Sequence, residues 1–183
     1  KCVSERPSDG PWPTWLMFTT ATRRSNDVKT MLQLHKFHPY LQCKGSRIGC
    51  TNVGRFVCIF FDGDKDLKAL VNEPAWETNC VGKLTILMTA VRNEDVELVK
   101  FLLAYGADAS IAILSGARAL FGVTALHFAA SNCNSSTNMM ELLLKEDCVL
   151  KNINTEATFG YSIYHRAVKD ATPLDYCYYC NDN

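Results

Sequence analysis

The chain carries nine cysteines and four histidines, His35, His38, His127 and His165, so thiol, metal and imidazole chemistry are the first readings to weigh. Cys177 and Cys180 form its one CxxC. A zinc site at that spacing needs two further ligands nearby, and a thioredoxin-like pair needs a βαβ setting; the sequence supplies neither. The pair reads as chance or as a local disulfide. His35 and His38 stand three apart, a spacing that could share a metal, but only Cys43 is close enough to join them. Cys58, Cys133, Cys148 and Cys177 fall where small apolar residues serve, and read as packed thiols. No glycine-rich phosphate loop, Gly-x-Ser-x-Gly elbow or nucleophile beside a base at a readable spacing is present. The expectation is no catalysis, no cofactor and no metal. Asn134-Ser135-Ser136 is a formal glycosylation sequon, which matters only in a secreted protein.

With chemistry set aside, the elements that would carry a surface come forward. Residues 82–110 hold two helical segments, Ile86 to Val91 and Val96 to Leu103, separated by the polar Arg92-Asn93-Glu94-Asp95 and closed by Gly106. In the second segment Val96, Val99 and Leu103 share a side flanked by Leu98 and Leu102, while Glu97 and Lys100 point away at a spacing that suits opposite charges. Asp95 stands at the N-cap, and Gly106 can adopt the left-handed conformation that ends a helix. Two antiparallel helices this short cannot bury their apolar sides alone. They need similar neighbours.

Those neighbours are in the sequence. Thr85-Ile86-Leu87-Met88-Thr89-Ala90-Val91 recurs as Thr124-Ala125-Leu126-His127-Phe128-Ala129-Ala130 and as Ser162-Ile163-Tyr164-His165-Arg166-Ala167-Val168, at steps of about 38 residues. Gly122 and Gly160 lead the later copies, and Met139-Met140-Glu141-Leu142-Leu143-Leu144 follows the second. The pattern resembles the ankyrin repeat, Gly-x-Thr-Pro-Leu-His-x-Ala-Ala with a second helix and a Gly-Ala-Asp ending, which Gly106-Ala107-Asp108 matches outright. The match departs from that pattern where Ile86, Ala125 and Ile163 replace proline and Met88 replaces histidine. The resemblance implies an all-α, ankyrin-type helical repeat solenoid with hairpin and loop connections. It also implies that His127 and His165 hydrogen-bond loop backbone between adjacent units.

A chain of 183 residues that is 48% hydrophobic can bury one continuous core, and five units account for nearly all of it: 11–43, 54–80, 82–110, 122–150 and 160–183, after a polar leader at 1–10. The first unit rests on Thr14 to Thr20, then Val28, Met31 and Leu32. Cys43 to Gly54 reads as a connecting loop. The second unit rests on an apolar helix from Arg55 to Phe61, then Leu67, Leu70 and Val71 before Pro74. Residues 110–121 exceed the connection the repeat needs and are apolar, so they read as a lengthened hairpin or short helix folded on the stack, or as part of a partner-binding surface. In the fifth unit no second helix follows Asp170; Ala171-Thr172-Pro173-Leu174-Asp175-Tyr176 looks like the opening of another repeat.

Eleven basic and eight acidic side chains in residues 1–81 are balanced by eight and eleven in the remainder, too mild an asymmetry for nucleic acid or an acidic membrane. The apolar run Phe56 to Phe61 is far short of the roughly 20 residues that span a bilayer. Lys1 in place of Met implies that something upstream was removed. The expected role is non-catalytic binding of a protein partner by a cytoplasmic monomer through the concave face and loop tips. The alternatives are a regulatory or targeting array of a larger enzyme or channel, and a secreted effector. The resemblance places contacts beside the repeat glycine and after Ala-Ala: Lys83, Arg92, Asn93 and Tyr105; Leu120, Phe121, Val123, Ser131 and Asn132; Thr158, Phe159, Tyr161, Lys169 and Asp170.

Overall fold

The computed structural model describes residues 20, 23–36, 67–78, 82–113, 120–132, 137–159 and 168–181. Its helices are α1 (Ser25–Lys36), α2 (Leu67–Asn72), α3 (Ile86–Arg92), α4 (Val96–Ala104), α5 (Ala125–Ser131), α6 (Thr137–Leu143), α7 (Asp147–Lys151) and α8 (Pro173–Asn181). Short strands join them: β1 (Ala75–Thr78), β2 (Gly82–Leu84), β3 (Leu120–Phe121), β4 (Ala157–Phe159) and β5 (Val168–Ala171). The expected leader, the first helix at 14–19, the loop at 43–54, the helix at 55–61 and the repeat copy at 162–167 lie outside the described residues.

Two rows of helices make the array. α3, α5 and α8 are successive neighbours in one row; α1, α4 and α6 are neighbours in the other; α3–α4 and α5–α6 are the rungs between them. Ile86 to Val91 are all buried, as are Ala125 to Ala130. A helix covered on every side can only sit between other elements, and that is the position of the α3–α5 pair. In the second row Val28, Met31 and Leu32 of α1 and Met139 and Leu143 of α6 are buried as their spacing predicts. On α4 the fully covered side runs through Leu98, Val99 and Leu102, while Val96 and Leu103 are only half-buried. The covered face is rotated from the predicted Val96–Val99–Leu103 line because α4 packs on α1, α3 and α6 together. Each leucine so covered contributes about 1.5–3 kcal/mol.

Caps fix where the helices begin. Thr85, in extended backbone, accepts the Met88 N–H on Oγ1 at 3.3 Å, and Asp95 accepts the Leu98 N–H at 2.9 Å. Gly106, at φ 85°, ends α4, and Lys100 reaches Glu97 at 2.8 Å on its solvent face. Both features agree with the sequence expectation.

The unit expected at 54–80 contributes one described helix, α2, which lies beside α1 and α3. It does not stand between α1 and α4, which touch directly. β1 pairs antiparallel with β2 and delivers the chain to Thr85. In the same way α7 leads to β4, and β4 pairs with both β3 and β5 in a three-stranded sheet before Thr172.

The last copy differs most from expectation. Val168, predicted to end a first helix, lies in β5, and the helix packed on α5 is α8, opening at Thr172. Thr172-Pro173-Leu174-Asp175 is thus the working start of that layer. Pro173 takes the first helical position, where its missing N–H costs nothing. Asp175 Oδ2 accepts the Thr172 N–H at 2.8 Å and the Thr172 hydroxyl at 2.7 Å, closing the cap. These bonds hold the Asp175 carboxyl below the ordinary carboxylate range.

Candidate interaction surface

Polar side chains stitch the layers together, and they decide which predicted contact residues remain available. His127 is fully buried. Its Nδ1 accepts the Thr124 N–H at 3.1 Å, so Nε2 carries the proton and donates to the Ala171 carbonyl, 3.3 Å away at the start of the next layer. Tyr176 of α8 packs edge-on against the ring, centroids 5.2 Å apart. This is the inter-unit bond expected of His127; His165 lies outside the described residues. Burial pushes the imidazole pKa down, against the opposing pull of hydrogen bonds to Ala171 and Thr155.

Other stitches carried no sequence signal beyond a polar residue at a helix end. Ser25 donates its hydroxyl to Asp95 Oδ2, joining the starts of α1 and α4. Asn72, at the end of α2, donates Nδ2 to the Gly106 carbonyl at 2.9 Å and accepts the Asp108 N–H on Oδ1 at 2.7 Å. Burial opposes the Asp108 charge, but bonds from the Ser110 hydroxyl and N–H and from the Cys148 thiol, with the Lys68 charge, leave its carboxyl below the ordinary range. A polar line therefore runs from α2 through the Gly-Ala-Asp turn to α7. Asn72→Ala removes two interlayer bonds at about 0.5–1.5 kcal/mol each. The Asp108 amide is expected to exchange with solvent faster in that variant; unchanged exchange would show that Asn72 is not what holds the turn.

Asn93 and Asn132 serve the same purpose at the far ends of α3 and α5. Asn93 donates Nδ2 to the Thr20 carbonyl at 2.7 Å, and Asn132 donates Nδ2 to the Arg92 carbonyl at 3.4 Å. Ser131 Oγ turns back to the Phe128 carbonyl at 2.9 Å. Arg92 is half-buried. Arg92, Asn93, Ser131 and Asn132 thus form one group, at the helix-to-helix turns.

A second group gathers on the hairpins. β3 and β4 pair Leu120 with Phe159 and Phe121 with Thr158, and β5 adds Lys169 and Asp170 alongside β4. Phe121 is 61% exposed. Asp170 is exposed, at φ 51°. The base of the 110–121 insert folds back as a hairpin, since Ile113 N–H donates to the Val123 carbonyl at 2.9 Å and Gly122 N–H to the Ile113 carbonyl at 2.8 Å. Ile113 is buried by that pairing; residues 114–119 are outside the described set. A seven-residue first helix, about 10 Å long, lies between the turn group at its end and the hairpins that precede its start.

Four predicted contacts belong to neither group. Val123 is completely buried, and Tyr105 closes α4 with its ring stacked on Phe101 at 4.4 Å. Lys83 is exposed on β2, and Tyr161 lies outside the described residues. Among the described residues no cluster of three or more His, Cys, Asp or Glu could hold a metal. No described helix is long and apolar enough to cross a membrane. His35 and Cys180 are placed on α1 and α8 by backbone only, while His38, Cys43, Cys58, Cys133 and the 134–136 sequon are outside the described set.

A family model described as "Ankyrin repeats (3 copies)" matches residues 55–156 and 87–179, well over half of the chain. The chain belongs to the ankyrin-repeat family. Ankyrin repeats are generally protein–protein interaction modules and are typically non-catalytic. A search of the curated proteins finds no match. In ankyrin terms, α3, α5 and α8 are first helices opening at Thr85, Thr124 and Thr172, and the strands are the hairpins between layers.

Proposed function

We propose that this ankyrin array is a monomeric, non-catalytic module that binds a protein partner along the side bearing the hairpin group, with the helix-turn group as a second contact. The observation that carries the reading is Phe121, an aromatic ring left mostly in water beside Gly122 on a strand held by β4 and by the Ile113 pairing. Solvating such a ring forgoes about 1.5–3 kcal/mol, which contact with a partner recovers. A ring on a fixed strand also loses little freedom on binding. The cytoplasm is the compartment in which we place this activity.

Affinity capture from the native source with wild type and with Phe121→Asp tests the proposal. Because the ring is exposed, the variant should keep the wild-type unfolding midpoint within about 0.5 kcal/mol. Its captured partner should fall about tenfold or more. Equal capture by two equally stable proteins removes Phe121, and with it the hairpin surface, from the interface.

A further inference from the structure

The three first helices open alike, at Thr85-Ile86-Leu87-Met88, Thr124-Ala125-Leu126-His127 and Thr172-Pro173-Leu174-Asp175, so they can be compared position by position. On α5 the third residue after the threonine, His127, reaches the Ala171 carbonyl of the following layer, and the sixth, Ala130, lies in an apolar cluster with Ala171 and Tyr176. These positions face forward along the stack. Leu87, Met88 and Val91 on α3 and Leu126, His127 and Ala130 on α5, the second, third and sixth residues, are all buried. On α8 the same positions are Leu174, Asp175 and Tyr178, and all three are exposed, Leu174 by 77% and Tyr178 by 67%. Pro173 and Tyr176, on the other side of α8, stay buried as their counterparts do. The outward side of α8 is therefore the side on which a first helix receives its neighbour, here open to water.

What fits there follows from the row itself. α5 lies along α3 and α8 along α5, so the matching shape is a helix with apolar residues toward Leu174 and Tyr178. A layer finished against water would carry polar residues at those positions instead. Asp175 sets the charge. Its Oδ2 takes both bonds from Thr172, and among the described residues Oδ1 takes none and no lysine or arginine pairs with the carboxylate. α8 has no basic residue of its own. A further layer of this array's kind would bring a backbone carbonyl to that position, as Ala171 comes to His127, and two acceptors cannot bond. A second copy of α8 would bring another acid and no base. We infer that the outward side of α8 is a separate docking site for an amphipathic helix of a partner protein, which lays its apolar stripe on Leu174 and Tyr178 and brings a lysine or arginine to Asp175. This site goes beyond the hairpin surface and does not depend on Phe121.

The probe is a stapled peptide helix with leucines at i and i+4 and one lysine beside them, compared with the same peptide bearing glutamate in place of the lysine. Titration into the full chain should move the α8 amide resonances, and wild type should bind the lysine form about two- to fivefold more tightly, the range of an exposed ion pair. Asp175→Asn, which keeps an acceptor for Thr172, should bind both peptides equally. Leu174→Ser should unfold at the wild-type temperature, since the side chain it replaces is exposed, and bind the lysine form about tenfold less tightly. Tyr178→Ser gives the same reading at the other end of the stripe, and Phe121→Asp should bind as wild type does. Absence of binding, equal affinity of wild type for the two peptides, undiminished binding by the Leu174 and Tyr178 variants, or loss of binding in Phe121→Asp overturns the inference. So does a dimer of the chain in sedimentation that Leu174→Ser dissociates, which assigns the face to a second copy.

Discussion

His127→Ala is expected to lower the stability of the array by about 2–4 kcal/mol, combining a cavity in a fully buried site with the loss of its bonds to Thr124 and Ala171. The loss arises in two layers at once. Nδ1 satisfies the Thr124 N–H at the start of α5, and Nε2–H satisfies the Ala171 carbonyl just before α8, so removal orphans a buried donor and a buried acceptor together. His127→Asn would keep one acceptor near Thr124 but cannot span to Ala171, and should fall between wild type and alanine. Urea titrations at neutral pH measure the series.

The same bonds make stability depend on pH. A protonated ring has no lone pair for the Thr124 N–H, and burial already holds the folded pKa below the ordinary value of about 6.5. Above that value both states are neutral and the contribution is complete. As pH falls below it, the unfolded chain takes up a proton that the folded chain refuses, and stability declines until the folded pKa is reached, by at most about 1.4 kcal/mol per unit. The chain carries three further histidines, so the informative quantity is the difference between wild type and His127→Asn at pH 7.5 and 5.5. Parallel pH profiles would mean that His127 is not the titrating group.

What the sequence disclosed and what it withheld follow from the range of the forces involved. Apolar periodicity reports burial directly, so Val28, Met31, Leu32, Leu87, Leu102 and Leu143 were legible as core, as was the cap at Asp95 from its place before an apolar run. Leu87 and Leu126 lie buried on neighbouring first helices as a shared spine requires; Tyr164 is outside the described residues. The position of the last layer was harder. Ser162 to Val168 imitates the first-helix pattern, yet Val168 pairs with Phe159 in a strand and α8 takes the place beside α5. Sequence likeness had two candidates there, and a long-range choice, the reach of His127 to Ala171, separates them. Side-chain amides were least legible of all. Asn93 and Asn132 look like free contact residues until the carbonyls of Thr20 and Arg92, 73 and 40 residues away, come within reach. Its rank beside Gly122 predicts a surface contact at Val123, but the residue is completely buried, its carbonyl bonded to the Ile113 N–H in the hairpin base.

Gly122 and Gly106 offer a controlled contrast, and Gly122→Ala is expected to be the more damaging by a wide margin. Both residues sit in left-handed backbone, at φ 76° and 85°, so an added Cβ costs about 1–2 kcal/mol at either position. Their surroundings differ. At Gly106 the new methyl would meet the Lys68 Cγ at 3.4 Å, the stem of an exposed side chain that can move aside. At Gly122 it would lie 2.6 Å from the Glu156 carbonyl oxygen, which is backbone leading into β4. Relief there means separating Phe121 from Thr158 or breaking the Gly122–Ile113 bond, so a further 1–3 kcal/mol, about the usual cost of overpacking, is added. The totals are then about 1–2 kcal/mol for Gly106→Ala and about 2–5 for Gly122→Ala. Chemical denaturation gives both values. Equal losses at the two sites would show that β3 and β4 do not approach as closely as the 2.6 Å contact requires. Because Gly122 adjoins Phe121, the same substitution should also loosen the ring's strand, so Gly122→Ala should weaken partner capture where Gly106→Ala does not.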